Sequence, residues 1–427
     1  MKTIKIALLA AFLFIVIGSA QALDTIRIMH YNLLLYGINL FGCTNANNNV
    51  ADKNEYLRTI LSYDMPDIFT VNELSRTTSF HDQILNEVFA HISPYTYARA
   101  ANNPISNSSM VNQVFFNTNK FALRSQRVLQ WATRDIDLYT LYYLSPDLEH
   151  GDTVFVHLIV AHLKAGSSAS DVEARGTMVK NALDQLSSLY PPGNYLFVGD
   201  LNLYRSSEIA MQHLLNYPKQ AYRFFDPVNQ HGEWTSNPAF ANFHTQSTQT
   251  QSDCHVGGGL DDRFDFLLIS RSILEGSEKV QFIEDSYRTL GQDGLRFNSP
   301  LLGLPANFSA PESVLESLAA NSDHLPVLLS VVIDQTPAAT RNLFSPGALL
   351  TTNNPVTDNL IIYHRSLPMG TPFELTIYSI TGTAYSTVSD TLYSNPVEID
   401  LSHLASGFYL VKIRLLNTTG VFKIIKL

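Results

Sequence analysis

The sequence predicts an α/β domain followed by a small all-β module. Three observations lead there. From Thr25 to Ile333, short runs rich in Val, Ile, Leu and Phe alternate with stretches of helical spacing. Polar clusters stand at the ends of those runs, and after Ile333 the composition shifts to short strand patterns that lack such clusters. A length of 427 residues fits one large domain and one smaller one. Apolar residues make up 45% and charged residues 15%, which supplies a sizeable core and too few charges for an extended chain.

The elements follow in order. Residues 1–22 read as a secretory leader: Lys2 and Lys5 give a positive start, Ala7–Ile17 an apolar stretch, and Ala20-Gln21-Ala22 a small-residue cleavage site. That stretch is shorter than the roughly 20 residues that cross a bilayer, which argues against a transmembrane anchor. The next segment, 23–334, carries strand patterns at Ile26–Asn32, Asp67–Val71, Thr153–His162, Tyr195–Val198, Arg263–Ile269 and Leu325–Ile333. Between them, Ser170-Asp171-Val172-Glu173 has the pattern of a capping box ahead of a helix with Val179, Ala182, Leu183 and Leu186 on one face. Phe80, Ile84, Leu85 and Val88 make a second helical stripe, and both stripes read as core faces. Asn102–Asn112 and Thr245–Ser252 read as loops, with Gly257-Gly258-Gly259 as a flexible approach to the next strand; they fit a groove rim or plain solvated connections equally. Residues 335–345 read as a linker, and 346–427 as the all-β module, with strands at Asn359–Tyr363, Phe373–Ile380 and Gly407–Leu416.

Charge and cysteine content narrow the function classes. The net charge of −10, about −12 without the leader lysines, disfavours broad nonspecific binding to nucleic acid, which depends on Lys and Arg. A nuclease stays possible on this count, because a metal ion can hold the reacting phosphate locally. Cys43 and Cys254 fit either one disulfide of an exported protein or two unrelated thiols, and neither lies in a paired motif suited to zinc.

The chemistry-bearing residues gather at strand ends. His30-Tyr31-Asn32, Glu73, His162, Asp200 with Asn202, Asp265 and Asp323-His324 each close or flank a predicted strand. Carboxylates bind a hard cation such as Mg²⁺, amides orient phosphate oxygens, and histidines donate to charge that develops in a transition state. Asp265 stands in an otherwise apolar run, so a histidine partner is expected for it.

Taken in order, Tyr31-Asn32, Asn72-Glu73, Ala161-His162-Leu163, Gly199-Asp200-Leu201-Asn202, Arg263-Phe264-Asp265-Phe266 and Ser322-Asp323-His324 resemble the motifs of the endonuclease/exonuclease/phosphatase superfamily. The resemblance covers Thr25–Ile333. It implies a four-layer α/β sandwich, two mixed sheets packed face to face and covered by helices. It also implies a metal side made by Asn32, Glu73 and Asp323, with Mg²⁺ as cofactor and Mn²⁺ or Ca²⁺ as alternatives. By the same resemblance His162 is an acid near the leaving group, Asp200 and Asn202 activate water and bind phosphate, and His324 contacts phosphate while Asp265 holds it. Trp234-Thr235 resembles a structural stretch of the family. Asn72 stands where Gln is frequent, and Leu34 where the apurinic-endonuclease branch has an acidic residue, which argues against that branch. No Arg-bearing segment that grips a nucleic-acid backbone is evident.

The tail resembles the C-terminal sorting domain of type IX secretion in Asn354-Pro355-Val356-Thr357-Asp358-Asn359-Leu360, Leu375-Thr376-Ile377-Tyr378 with Gly382, Leu404-Ala405-Ser406-Gly407-Phe408-Tyr409 and Lys423–Leu427. The expectation is a monomeric hydrolase exported through the periplasm, secreted or held at the cell surface, with the type IX machinery as a partner. Extracellular endonuclease or phosphodiesterase is the leading activity. The alternatives are a phospholipid phosphodiesterase, a phosphomonoesterase and a non-catalytic surface binding protein.

Overall fold

The computed structural model describes residues 23–145, 148, 153–335 and 350–427, apart from 365–369, 380, 381, 393, 416 and 417. The expected leader, and the expected linker after Gln335, lie outside the described residues. The chain divides into two compact units, Met1–Gln335 and Thr336–Leu427.

In chain order the strands of the first unit are β1 (Leu23–Tyr36), β2 (Ile68–Ser75), β3 (Tyr97–Arg99), β4 (Met110–Asn117), β5 (Phe121–Gln130), β6 (Ile136–Tyr143), β7 (Phe155–His162), β8 (Tyr195–Asp200), β9 (Phe224–Phe225), β10 (Asp265–Ser270), β11 (Val280–Phe282), β12 (Arg288–Thr289) and β13 (Val327–Asp334). One sheet runs β11-β13-β1-β2-β4-β3, with β12 also paired to β13; the other runs β5-β6-β7-β8-β10-β9. Each has a single parallel pair near its centre, β1 with β2 and β7 with β8, and antiparallel neighbours beside it. A hairpin cannot close a parallel pair, so the chain crosses over through a helix: Val50–Tyr63 in the first sheet and Ala169–Leu189 in the second.

The side-chain alternation of the strands builds three apolar layers. Between the sheets, Ile26, Ile28, Val114 and Val331 meet Leu141, Leu158, Val198 and Leu267. On the outer face of the first sheet, Met29, Phe69 and Phe115 pack with Leu57 and Leu61 and with Leu315 and Leu318 of the helix Glu312–Asn321. The outer face of the second sheet sets Ile159, Phe197 and Leu268 against Val179, Leu183 and Leu186 and against Met211 and Leu214 of the helix Ile209–Asn216. Burying each such side chain favours the fold by about 1.5–3 kcal/mol before chain entropy opposes it. The result is helix, sheet, sheet, helix: the four-layer α/β sandwich.

Local departures from the sequence reading have local causes. The helix expected at Ser170 starts at Ala169, capped by Ser168: Asp171 N–H donates to Ser168 Oγ at 3.3 Å and Ser168 N–H to Asp171 Oδ2 at 3.2 Å. That earlier capping box leaves Ser170 and Glu173 inside the helix. The Phe80 to Val88 stripe falls on a helix, Thr78–Gln83, that widens into a π turn at Ile84–Phe89. β10 begins at Asp265 rather than Arg263, because the Arg263 guanidinium turns away to grip Asp226 at 2.8 and 2.9 Å and Phe264 N–H donates to Thr245 Oγ1 at 3.1 Å. Cys43 and Cys254, 211 residues apart in sequence, form a disulfide with Cα atoms 4.3 Å apart.

The second unit contains β14 (Leu350–Thr352), β15 (Asn359–His364), β16 (Pro372–Ser379), β17 (Ala384–Thr391), β18 (Val397–Asp400), β19 (Gly407–Leu415) and β20 (Thr418–Lys426). They form two sheets, β14-β15-β18 and β17-β16-β19-β20. Leu360 and Ile399 of one meet Leu375, Ile377 and Val411 of the other in one core, so this unit is all β. Among the described residues no helix is long and apolar enough to cross a membrane.

Candidate active site

The crossover topology sends β1 and β2, and likewise β7 and β8, in the same direction, and the residues at their ends meet over one edge of the sandwich. The backbone there is bent out of ordinary strand geometry. Gly199 has φ +145°, and a Cβ at that position would lie 1.7 Å from the Ala161 carbonyl oxygen, so no other residue lets β8 approach β7 this closely. Glu73 and Asn202 have φ of 59° and 49°, a conformation that costs a non-glycine residue about 1–3 kcal/mol. The β1–β2 register shifts just after Asn32 and Asn72, and this shift aims Glu73 across the site. Leu35 N–H donates to Glu73 Oε2 at 3.0 Å, and Asn202 N–H to Asp200 Oδ1 at 3.0 Å, which helps to hold these bends.

Asn32 lies at the centre. Its Nδ2 donates to Asp200 Oδ2 at 3.1 Å and to Glu73 Oε1 at 3.2 Å, while its Oδ1 accepts from Leu34 N–H at 3.0 Å. The acceptor-only carboxylates and the donor-only backbone together fix this amide orientation. His162 Nε2 stands 3.3 Å from Asp200 Oδ2 and 3.8 Å from Glu73 Oε1. Opposite it, His324 Nε2 lies 3.8 Å from Asp200 Oδ2, and its Nδ1 donates to Asp265 Oδ2 at 2.7 Å. His30 closes the back, with Nε2 3.7 Å from Asp265 Oδ1 and Nδ1 beside Thr70 Oγ1 at 3.1 Å. Asn202 turns its Nδ2 to the Leu163 carbonyl at 3.3 Å. Asp323 is set to one side, where its Oδ2 accepts from Val256 N–H at 3.1 Å and Gln246 Nε2 at 3.2 Å.

Burial governs the electrostatics. It pushes the Asp200 carboxyl up to about 7, with Asp265 and Glu73 adding to the rise and His324 opposing it. Burial and then Asp323 raise Glu73. The His162 imidazole is driven well below its ordinary range, again chiefly by burial. Burial acts the same way on His324, but Asp265 and then Asp200 outweigh it and hold this histidine well above the ordinary range. Gln246 Nε2 lies 2.8 Å from His324 Nε2, so a protonated His324 must part from that amide and turn its Nε2–H to an oxygen.

Glu73, His162 and Asp200 each offer a ligand atom, all within 4.8 Å of one another, and among the described residues neither carboxylate forms an ion pair with Lys or Arg. The two converging carboxylates supply the anionic oxygen ligands that a divalent cation takes, with the neutral His162 imidazole beside them. As arranged, Asn32 presents its NH₂ to those carboxylates and not its carbonyl oxygen, and Asp323 does not join the group within 4.8 Å.

Several contributors went unread in the sequence. Gln246 comes from a Gln/Thr/Ser run that looks like a plain loop, yet it touches both His324 and Asp323. Lys53 is buried and donates to the Asn321 carbonyl just ahead of Ser322-Asp323-His324. Arg134 follows β5, donates to the Leu163 carbonyl at 2.8 Å and feels the charges of Glu73 and Asp200. Only its three-dimensional position distinguishes Arg134 from other arginines of the chain.

The first unit thus has the layered architecture that the motif order implies. The second unit is recognisable by sequence: residues 354–427 match the family described as secretion system C-terminal sorting domain. No curated protein matches the chain. Solved structures similar to it include D. rerio TDP2 complexed with single strand DNA product, at 13% identity over 72% of this chain and 99% of that one, with a TM-score of 0.45. The human nocturnin catalytic domain with bound sulfate is 13% identical over 72% of this chain and 94% of that one, TM-score 0.43. An endonuclease/exonuclease/phosphatase from Beutenbergia cavernae is 14% identical over 94% of this chain and 99% of that one, TM-score 0.42. What the site can do follows from its own geometry.

Proposed function

We propose that the first unit is a divalent-metal-dependent phosphoesterase of the endonuclease/exonuclease/phosphatase type that cleaves a phosphodiester, nucleic acid first among candidates. The observation that carries this reading is the convergence of Glu73, His162 and Asp200 within 4.8 Å, with neither carboxylate ion-paired to Lys or Arg among the described residues. Glu73 and Asp200 would hold Mg²⁺, with Asp323 as a further contact, and the cation would neutralise charge on the phosphate. Asp200, whose Oδ2 lies 3.3 Å from His162 Nε2 and 3.8 Å from His324 Nε2, would take a proton from water. His324, oriented by Asp265, supplies an N–H to a phosphate oxygen, and Asn202 supplies an amide. His162 stands beside Asp200 for the leaving oxygen, and Arg134 adds positive charge behind it. The acidic surface limits nonspecific affinity for a polyanion, so binding is concentrated in the site. The sorting domain match and the leader-like start support export by the type IX route to the surface or the medium.

A panel assay on the purified full chain tests the reading: DNA, RNA, sphingomyelin, inositol phosphates and a generic diester, each with Mg²⁺ or with chelator. Metal-dependent cleavage of DNA or RNA is expected. Cleavage of the lipid or of the monoesters alone would reassign the substrate, and turnover that survives chelation would overturn the metal mechanism. Silence on every substrate, with Glu73→Ala indistinguishable from the parent in all binding tests, would favour a non-catalytic binding protein.

A further inference from the structure

A polar bridge crosses the space between the two sheets directly behind Asp200. It begins at Asp137 of β6, whose Oδ2 accepts from Asn112 Nδ2 at 2.8 Å. Asn112 belongs to β4 of the opposite sheet, and its Oδ1 accepts from Asn72 Nδ2 at 2.7 Å. Asn72, on β2, accepts in turn from the backbone N–H of Asp200 at 2.8 Å. The direction of the chain is fixed at one end, because the Asp200 N–H can only donate; Asn72 must therefore give it the carbonyl oxygen and turn its NH₂ to Asn112. The Asn112 NH₂ is also close to the carbonyls of Asp135 at 2.9 Å and Val160 at 3.1 Å.

The inward neighbours of Asn112 on β4, Val114 and Phe116, are apolar, and the inward positions ahead of Asn72 on β2 are Ile68 and Thr70, the latter turned to His30 Nδ1. Two buried asparagines there add nothing to the apolar core, so their presence calls for a polar need. Gly199 creates that need. Its φ of +145° carries the Asp200 N–H toward the opposite sheet, where it would be an orphaned buried donor without Asn72.

We propose that Asn72 and Asn112 are positioning residues which, anchored on Asp137, hold the Asp200 backbone in the place where its carboxylate meets Asn32 and His162, and so set the affinity of the site for a divalent cation. The proposal rests on reading Asp200 as part of a cation site. The relay itself can be tested without that reading.

The test uses the full chain with Asn112→Leu, which keeps the volume and removes its links to both Asn72 and Asp137, and Asp137→Asn, which keeps an acceptor for Asn112. Two quantities are measured: amide hydrogen exchange in the segment Val198–Leu201, and Mg²⁺ binding by calorimetry. For Asn112→Leu, exchange at Asp200 should accelerate about tenfold or more and Mg²⁺ binding weaken about tenfold, the size of one lost buried hydrogen bond. Asp137→Asn should stay within about twofold of the parent on both. If Asn112→Leu does not fold, Asn112→Ser replaces it, since a hydroxyl cannot reach both partners, and the same shifts are expected. A folded variant with parental exchange and parental Mg²⁺ affinity overturns the proposal. A parent that binds no Mg²⁺, while exchange still accelerates in the variant, overturns the cation reading and leaves the relay supported.

Discussion

Replacing Gly199 by Ala tests the strand crossing on which the site is built. The added Cβ would sit 1.7 Å from the Ala161 carbonyl oxygen, whereas real Cβ atoms essentially never come closer than 3.0 Å, so β7 and β8 must part by about 1.3 Å. The obstacle is backbone of the adjacent strand and cannot rotate away. A positive φ on a residue with a side chain costs about 1–3 kcal/mol, and forced overpacking costs about 1–3 kcal/mol more, which sums to roughly 2–6 kcal/mol. That is a large part of the roughly 5–15 kcal/mol that holds a domain together. Urea unfolding followed by tryptophan fluorescence reads it selectively, because the chain has two tryptophans, Trp131 and Trp234, both in the first unit. The displacement also moves Asp200, so metal-dependent activity should fall with stability. A Gly199→Ala protein within about 0.5 kcal/mol of the parent and fully active would refute the reasoning.

Other perturbations separate the supports of the fold from those of the site. Arg263 and Asp226 are both fully buried, and Arg263→Met strands the carboxylate, so unfolding by urea should show a loss of about 3–5 kcal/mol that Asp226→Leu added to it largely restores; no recovery in the double variant would exclude the pairing as the cause. Burial alone would raise the Asp226 carboxyl, but Arg263 outweighs it and holds it below the usual range. A carboxylate depressed by folding stabilises above its unfolded pKa of about 3.9 and loses that support as pH falls through the folded value, so below about pH 4 the parent should lose stability more steeply than the double variant. Reduction of Cys43–Cys254 opens a loop of 211 residues and should lower stability by about 2–5 kcal/mol; an unchanged urea midpoint in reductant would contradict this. Asp265→Asn removes the negative charge paired with His324 Nδ1 and leaves an amide that can either accept or donate there, so it should cut the turnover number by about tenfold or more with little change in the urea midpoint, whereas an unaltered rate would remove the Asp265–His324 pair from the chemistry.

How much of this was legible in the sequence depends on where each residue drew its meaning. Asp200, His162 and His324 were readable because a polar residue at the end of a buried apolar run has few uses besides a site. Asp265 was readable for the converse reason, since a carboxylate within Phe264-Asp265-Phe266 needs a partner, and the structure puts His324 there at 2.7 Å. β5 was not readable: Phe121–Gln130 pairs only with β6, several of its residues are exposed, and its alternation is weak. Asn112 looked like the end of an Asn/Ser-rich loop because nothing local tells an amide between two sheets from one in solvent. Gln246 and Arg134 gain their roles from chain crossings 78 and 29 residues away, to His324 and Leu163. The disulfide was undecidable for the same reason, as proximity of Cys43 and Cys254 is set by tertiary structure alone.

The most direct test of the central claim is the rate of phosphodiester hydrolysis by the full chain as Mg²⁺ is titrated from chelated to millimolar, in the parent and in Glu73→Gln and Asp200→Asn. The account predicts saturable Mg²⁺-dependent turnover in the parent and a loss of about a hundredfold or more in each variant, with urea midpoints near the parental value. Turnover independent of Mg²⁺, or variants as active as the parent, would contradict it.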